Sequence, residues 1–270
     1  LKRYIRDLEE SSAARERATE EAARLALERQ ALQRELDIAA GIQQSILPRT
    51  FPPFPDRTDL DVFAAMIPAR EVGGDFYDFF LVDRHRLGFV VGDVSGKGVP
   101  AAIFMALSRT LLKATALHGL PPGECLSRVN RLLCRENGSE MFVTVFYAIL
   151  DAESGILEYA NAGHPAPLLL RRSGEVERLA RTGGIALGAL EGAEYLARRC
   201  RVQQGDAVFV FSDGVTESMA SDGRFFGEER LGELDVARDV DHHRARPAAA
   251  GDVEGAAEGG LDLGLVGEQE

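Results

Sequence analysis

The chain has 270 residues, 45% of them apolar and 27% charged, and a net charge of −12. That balance supports a buried core and excludes wholesale disorder, a collagen-like repeat and a small disulfide scaffold. With no basic face in the sequence, nucleic acid is not an expected partner.

Residues 1–47 read as one helix, without Pro and with Gly41 as the single Gly. A heptad register runs through them. Leu1, Leu8, Arg15, Ala22, Arg29, Leu36 and Gln43 fall at a; Tyr4, Ser11, Ala18, Leu25, Leu32, Ala39 and Ile46 fall at d. Such a seam suits a coiled coil, and polar a residues weaken pairing while fixing register. A parallel homodimer through residues 1–47 is the expectation, and a solvated helix laced with salt bridges is the alternative. The chain opens on Leu1 and reads as a piece of a longer protein, with a sensor preceding it.

Pro48 ends the helix, and Pro52, Pro53 and Pro55 mark a linker. Runs rich in Phe, Val and Tyr then predict strands at 60–67, 75–82 and 86–94. A helix is expected from Ala101 to about His118, with Ile103, Leu107, Leu111 and Ala114 on one face. A second follows Pro121-Pro122 and carries Leu126, Val129, Leu132 and Leu133. Strands return at 142–150, 156–160, 167–171 and 207–212. Strands, two helices and strands again indicate an α+β layered domain rather than alternating βαβ units. No run of about 18 apolar residues predicts a membrane segment. Cys125, Cys134 and Cys200 are widely spaced and form no CxxC, which fits reduced thiols in a cytoplasmic setting and no zinc site. From Glu233 onward 3 Arg face 10 Asp/Glu, and no Phe, Tyr or Trp follows Phe226. A segment of that make-up is expected to stay disordered. The domains so read are 1–47 (helix), 48–232 (layered domain) and 233–270 (acidic tail).

Three acidic clusters each follow a strand-like run and sit beside Gly. They are Val72-Gly73-Gly74-Asp75-Phe76-Tyr77-Asp78, Val90-Val91-Gly92-Asp93-Val94-Ser95-Gly96-Lys97-Gly98 and Phe211-Ser212-Asp213-Gly214-Val215-Thr216-Glu217. Gly lets a backbone approach closely or take positive φ. Hard oxygen ligands gathered from separate strands suit Mg²⁺ or Mn²⁺, although turns favour Asp-Gly for their own reasons. A phosphate loop is excluded: Gly92 to Lys97 is one residue short of GxxxxGK[ST] and lacks the terminal hydroxyl. Asp78 lies three residues beyond Asp75, so on a strand it faces the opposite side. His164, in Asn161-Ala162-Gly163-His164-Pro165, reads as a turn residue. Lys97 is either a phosphate-steering or a solvated lysine, and Phe76, Tyr77, Phe79 and Phe80 read as core.

In this order, Ala39-x-x-Ile42-Gln43-x-x-Ile46-Leu47-Pro48, VGGDFYD, GDVSGKGVPAAIFMA, NAGHPAPLLL and SDGVTE resemble the metal-dependent PPM (PP2C-like) protein phosphatases. The similarity is to their bacterial RsbU/SpoIIE branch of stress-response and sporulation regulators, over about residues 36–231. The resemblance implies an α-β-β-α sandwich with two Mn²⁺ or Mg²⁺ ions at one end. It implies that Asp93 bridges both ions, that the Val94 carbonyl and Asp75 serve one, and that Asp213 serves the other. A metal-bound hydroxide would then hydrolyse phosphoserine or phosphothreonine on a regulatory protein, such as a STAS-type anti-anti-sigma factor. The resemblance also implies a C-terminal strand leading to an Asp-Asp pair, whose last Asp completes the second metal site. Asp239, Asp241, Asp252 and Asp262 are unpaired here, and none follows an apolar strand. The expectation is therefore a sandwich with an incomplete C-terminal edge and one weak metal. A catalytically impaired, partner-binding dimer is the competing function.

Overall fold

The computed structural model describes residues 2–66, 72–136, 138, 140–216, 227 and 261–266. The chain divides into two units, Leu1–Gln44 and Ser45–Glu270. Helix α1, Lys2–Ile46, is unbroken over 45 residues. At 1.5 Å per residue it is about 68 Å long. Every residue from 15 to 35 is exposed, including Leu25 and Leu32 at d positions. Along it, Arg24 and Glu28 pair at 3.8 Å, one turn apart.

The second unit contains two five-stranded antiparallel sheets. Its strands are β1 (Asp61–Met66), β2 (Phe76–Leu81), β3 (Arg86–Val94), β4 (Val143–Asp151), β5 (Ile156–Ala162), β6 (Leu168–Leu170), β7 (Val176–Arg178), β8 (Arg198–Arg201), β9 (Ala207–Phe211) and β10 (Leu261–Val266). Its helices are α2 (Val99–Ala116), α3 (Pro122–Glu136) and the short α4 (Asp213–Thr216). The first sheet has the order β1-β10-β9-β6-β7, and the second β2-β3-β4-β5-β8.

Period-two alternation sorts the first sheet into two faces. Val62, Ala64, Leu169, Val208 and Val210 join the core shared with the second sheet. Leu168, Leu170, Ala207, Phe209 and Phe211 form a separate apolar cluster. The second sheet is covered on its other face as well, where α2 packs on β2 and β3, and α3 on β4 and β5. Burial on both faces explains why β2 reads Phe-Tyr-Asp-Phe-Phe without alternation. Phe76, Tyr77, Phe79 and Phe80 are core residues, as expected.

Four features differ from the sequence reading. First, α2 buries Ala101, Phe104, Met105, Ser108, Leu112, Thr115 and Ala116. The face carrying Ile103 and Leu107 looks outward, and Ile103 is 66% exposed. Second, Gly98–Ala116 is long and apolar enough to span a membrane by length and composition. Its buried face and its two cations nevertheless serve the core: Arg109 and Lys113 reach Asp78 of β2 at 2.6 and 3.1 Å. Asp78 is thus fully buried in an ion cluster between sheet and helix, with Lys113 also lying 5.4 Å from the centre of the Phe80 ring. Third, β7 and β8 were not legible. Each is an edge strand, and their Val-Glu-Arg and Arg-Arg-Cys-Arg sequences carry the charge that protects edges from further pairing.

The fourth difference is in the tail. Residues 261–266 form β10, which lies between β1 and β9 and pairs antiparallel with both. The expectation that 233–270 is disordered and leaves an edge incomplete fails for these six residues, which form an interior strand. Leu261, Leu263 and Leu265 do alternate with Asp262 and Gly264, but a run this short is lost when composition is averaged over the whole tail. The thiols of Cys125, Cys134 and Cys200 are free, as their spacing predicts.

Candidate active site

The site forms where strand ends of the two sheets meet. β3 carries Asp93 to the end of the second sheet, opposite Thr144 of β4. The turn that follows is held at Ser95. Its N–H donates to the Phe142 carbonyl at 2.8 Å, and its Oγ accepts from the Phe142 N–H at 3.0 Å. Gly96 and Gly98 then take φ of 91° and 71°, in the left-handed region that side chains avoid. This turn leads directly into α2, where Pro100 is tolerated because the first helical N–H groups have no internal partner.

Asp75 enters from the loop before β2. A Cβ on Gly74 would lie 2.7 Å from the Val94 carbonyl oxygen and 3.1 Å from the Val94 Cβ. Gly at this position thus seats the Asp75 loop directly on the Val94 peptide. From the first sheet, Ser212 follows β9 and donates its hydroxyl to Asp75 Oδ2 at 2.9 Å. Asp75 also hydrogen-bonds the Asp93 side chain and feels the charge of Asp213. The Asp75 pKa is raised: burial is the main cause, the Asp213 charge adds to it, and the bonds from Asp93 and Ser212 oppose it.

Asp75, Asp93 and Asp213 therefore converge, although they come from three separate stretches of sequence. A bond between two carboxyl groups requires a shared proton, and a third negative charge nearby makes that proton harder to lose. A divalent cation relieves the same repulsion, and the donor set is one of hard oxygens, which suits Mg²⁺ or Mn²⁺. Among the described residues no three His, Cys, Asp or Glu side chains form a ready-made metal cage. An ion here would draw also on the Val94 carbonyl and on water.

Other residues named from the sequence fall in different places. Asp78 is excluded from this site by its bonds to Arg109 and Lys113 of α2. Lys97 is exposed on the turn after Asp93. His164 is buried, and burial pushes its pKa down to about 3, so the ring is neutral. Its Nδ1 lies 2.9 Å from Thr144 Oγ1. Of the tail aspartates, Asp262 alone is among the described residues; its Cα partners are Phe211, one position from Ser212, and Ala65.

Sequence reasoning assigned no role to Ser212, Thr144 or Asp262. Ser212 stood inside a quoted motif but had no visible partner, since Asp75 is 137 residues away. Thr144 lies in an apolar strand and is linked to its neighbours only by folding.

Comparisons with known proteins bear on the family and the fold. Residues 83–255 match the model of the family described as stage II sporulation protein E (SpoIIE). Protein IcfG of Synechocystis sp. is 32% identical over 224 residues, covering 73% of this chain and 35% of that protein. Phosphoserine phosphatase RsbU of Bacillus subtilis is 30% identical over 194 residues, covering 72% of this chain and 57% of that protein. The chain thus spans about a third to somewhat over half of these relatives' lengths. In the crystal structure of the RsbU and RsbW domains of a Mycobacterium tuberculosis protein, the match has a TM-score of 0.65 at 28% identity, covering 77% of this chain and 60% of that one. The family match runs 24 residues past Leu231, where the resemblance read from the motifs stops. With carboxylates gathered at one end of a two-sheet sandwich, and with most of its length inside that match, the chain belongs to the SpoIIE family of PP2C-type phosphatase domains.

Proposed function

We propose that this chain is a metal-dependent phosphatase that hydrolyses phosphoserine or phosphothreonine on a regulatory protein. The observation that carries the reading is the convergence of Asp75, Asp93 and Asp213 beside the Val94 carbonyl. Asp75 hydrogen-bonds Asp93 and feels the charge of Asp213, and by the family resemblance Asp93 would be the residue shared between two ions. Asp75 and the Val94 carbonyl would hold one ion and Asp213 the other. When bound, Mn²⁺ or Mg²⁺ would lower the pKa of a water and neutralise charge on the phosphoryl oxygens.

The chain's own contribution is orientation. Ser212 fixes the Asp75 carboxyl by its hydroxyl, Gly74 lets the Asp75 loop touch Val94, and Ser95 pins the turn that follows. Exposed Lys97 is placed to attract a phosphate. No Cys or Ser nucleophile is required, and the cysteines are structural: burial drives the Cys125 thiol up to about 12, far from a reactive thiolate. The substrate class follows from the family and from the phosphoserine phosphatase named among its relatives; a STAS-type regulatory protein is the proposed partner.

We also propose a parallel homodimer through α1. A polar helix with a narrow apolar seam gains little from standing alone in water, and Leu25 and Leu32, 53% and 58% exposed, lie on that seam.

Hydrolysis of a chromogenic aryl phosphate, assayed with and without Mn²⁺, tests the activity. Turnover that needs Mn²⁺ and falls at least about 1,000-fold in Asp93→Asn supports the reading. Metal-independent turnover, or an active Asp93→Asn, overturns it.

A further inference from the structure

The two sheets are joined by several chain crossings, and one of them lies at the site. Residues 163–167 carry the chain from β5 of the second sheet to β6 of the first. Gly163 opens the crossing with φ of 77° and bridges to Val145 of β4. His164 follows, and its main chain is clamped twice by Asn161. The His164 N–H donates to Asn161 Oδ1 at 2.8 Å, and Asn161 Nδ2 donates to the His164 carbonyl at 2.9 Å. With the backbone fixed in this way and only 5% of the residue exposed, the ring has one available place.

That place touches both halves of the site. Nδ1 lies 2.9 Å from Thr144 Oγ1, and the Thr144 hydroxyl donates to the Asp93 carbonyl at 3.4 Å. Either tautomer of the ring can make the bond to Thr144 Oγ1, so the ring and the Asp93 carbonyl meet at one hydroxyl. The ring also interacts with the backbone of Phe211, the residue before Ser212 and Asp213. Its Nε2 is buried without a hydrogen-bond partner among the described residues. A buried polar atom left without a bond costs about 1–3 kcal/mol, so filling this position with a ring that has two nitrogens calls for a reason beyond turn formation.

We propose that His164 is a positioning residue: through Thr144 on one side and Phe211 on the other, it fixes the Asp93 end of the second sheet relative to the Asp213 end of the first. The inference rests on the metal-site reading given under Proposed function. In that reading Asp93 and Asp213 serve the same metal pair from different sheets, and a small shift between the sheets separates them. His164 touches neither substrate nor the reacting atoms. Its effect is on how tightly the carboxylates hold cations, in the way that residues behind metal ligands tune affinity by orienting them.

The test is a Mn²⁺ titration followed by the electron paramagnetic resonance signal of free Mn²⁺, a readout independent of turnover. It compares the unaltered chain with Asp93→Asn, His164→Asn, Thr144→Val and Thr144→Ser. Thr144→Val preserves side-chain volume and removes only the hydroxyl, so it decides the matter if His164→Asn fails to fold. We expect the unaltered chain and Thr144→Ser to bind Mn²⁺ alike. Thr144→Val and His164→Asn should bind about 10–100-fold more weakly. Combining the two should cost little more than either alone, since they break one chain of contacts. The KM for an aryl phosphate at saturating Mn²⁺ should not move. Folded Thr144→Val binding Mn²⁺ as tightly as the unaltered chain would reduce His164 to a turn residue and overturn the inference. An unaltered chain that binds no Mn²⁺ would instead overturn the metal-site reading, and this inference with it.

Discussion

The two sheets are assembled in different ways. In the second, β2, β3, β4 and β5 are neighbours in sequence and in space. Two of their connections are tight turns, and α2 and α3 fill the third. In the first, β1 is separated from its partner β10 by almost the whole domain, and β10 then pairs with β9. One sheet can form from local contacts; the other must close a loop of roughly 200 residues, with the associated entropy, before its centre exists. The site joins the two, taking Asp75, Asp93 and Val94 from the locally built sheet and Asp213 from the other.

The largest effect should come from removing the late-arriving strand. A tail that stayed disordered, as its composition predicts, would make truncation after residue 232 harmless. With β10 in the middle of the first sheet, that expectation reverses. Hydrogen exchange on the truncated protein should show β1 amides losing protection, since β10 is the strand β1 pairs with, while β3 and β4 amides exchange slowly. Continued protection of β1 would mean that the first sheet does not depend on its last strand.

The next effect probes the second sheet. Asp78→Ala leaves the Arg109 and Lys113 cations beside a buried vacancy. Removing one partner of such a buried pair costs about 3–5 kcal/mol. Chemical denaturation should show that loss, and a cost below about 1 kcal/mol would mean water reaches the cluster freely.

Gly74→Ala acts where the site meets the Val94 peptide. The new methyl would press on the Val94 carbonyl, and overpacking of this kind costs about 1–3 kcal/mol. Mn²⁺-dependent activity should fall more than stability does, by about 10–100-fold, because the displaced oxygen is a proposed ligand. An unchanged Mn²⁺ requirement would remove Val94 from the ligand set.

The smallest effect concerns the first sheet at its opposite end. Burial opposes the charge on Asp206, but bonds from the Gln203 and Arg172 amides and from Arg171 outweigh it, so its pKa is lowered. A lowered carboxyl pKa adds stability above the ordinary Asp value of about 3.9, lost as pH falls through the lower folded value. Asp206→Asn should therefore cost about 1–2 kcal/mol at pH 7, a cost that shrinks as pH falls below the ordinary Asp value and through the lowered folded-state value. A cost that stays constant over that fall would show that the carboxylate charge is not what matters.

The same contrast explains how far the sequence could be read. β2, β3 and β4 announced themselves because both faces are buried, and Asp75, Asp93 and Asp213 because each ends a buried strand beside Gly. β7 and β8 did not, since edge strands carry the charges that a pattern search discards. β10 was hidden in an acidic tail, with six residues too few to alter its average. Asp78 and His164 were visible as residues, but their partners Arg109, Lys113 and Thr144 are supplied by elements that meet only in the folded chain.

The central claim is that carboxylates from both sheets hold divalent cations at one point. The most direct measurement is an anomalous-scattering map from crystals of the protein soaked in Mn²⁺. We expect density bounded by Asp75, Asp93, Asp213 and the Val94 carbonyl, with Asp93 touching every ion present. Density elsewhere, or none at this junction at saturating Mn²⁺, would contradict the account.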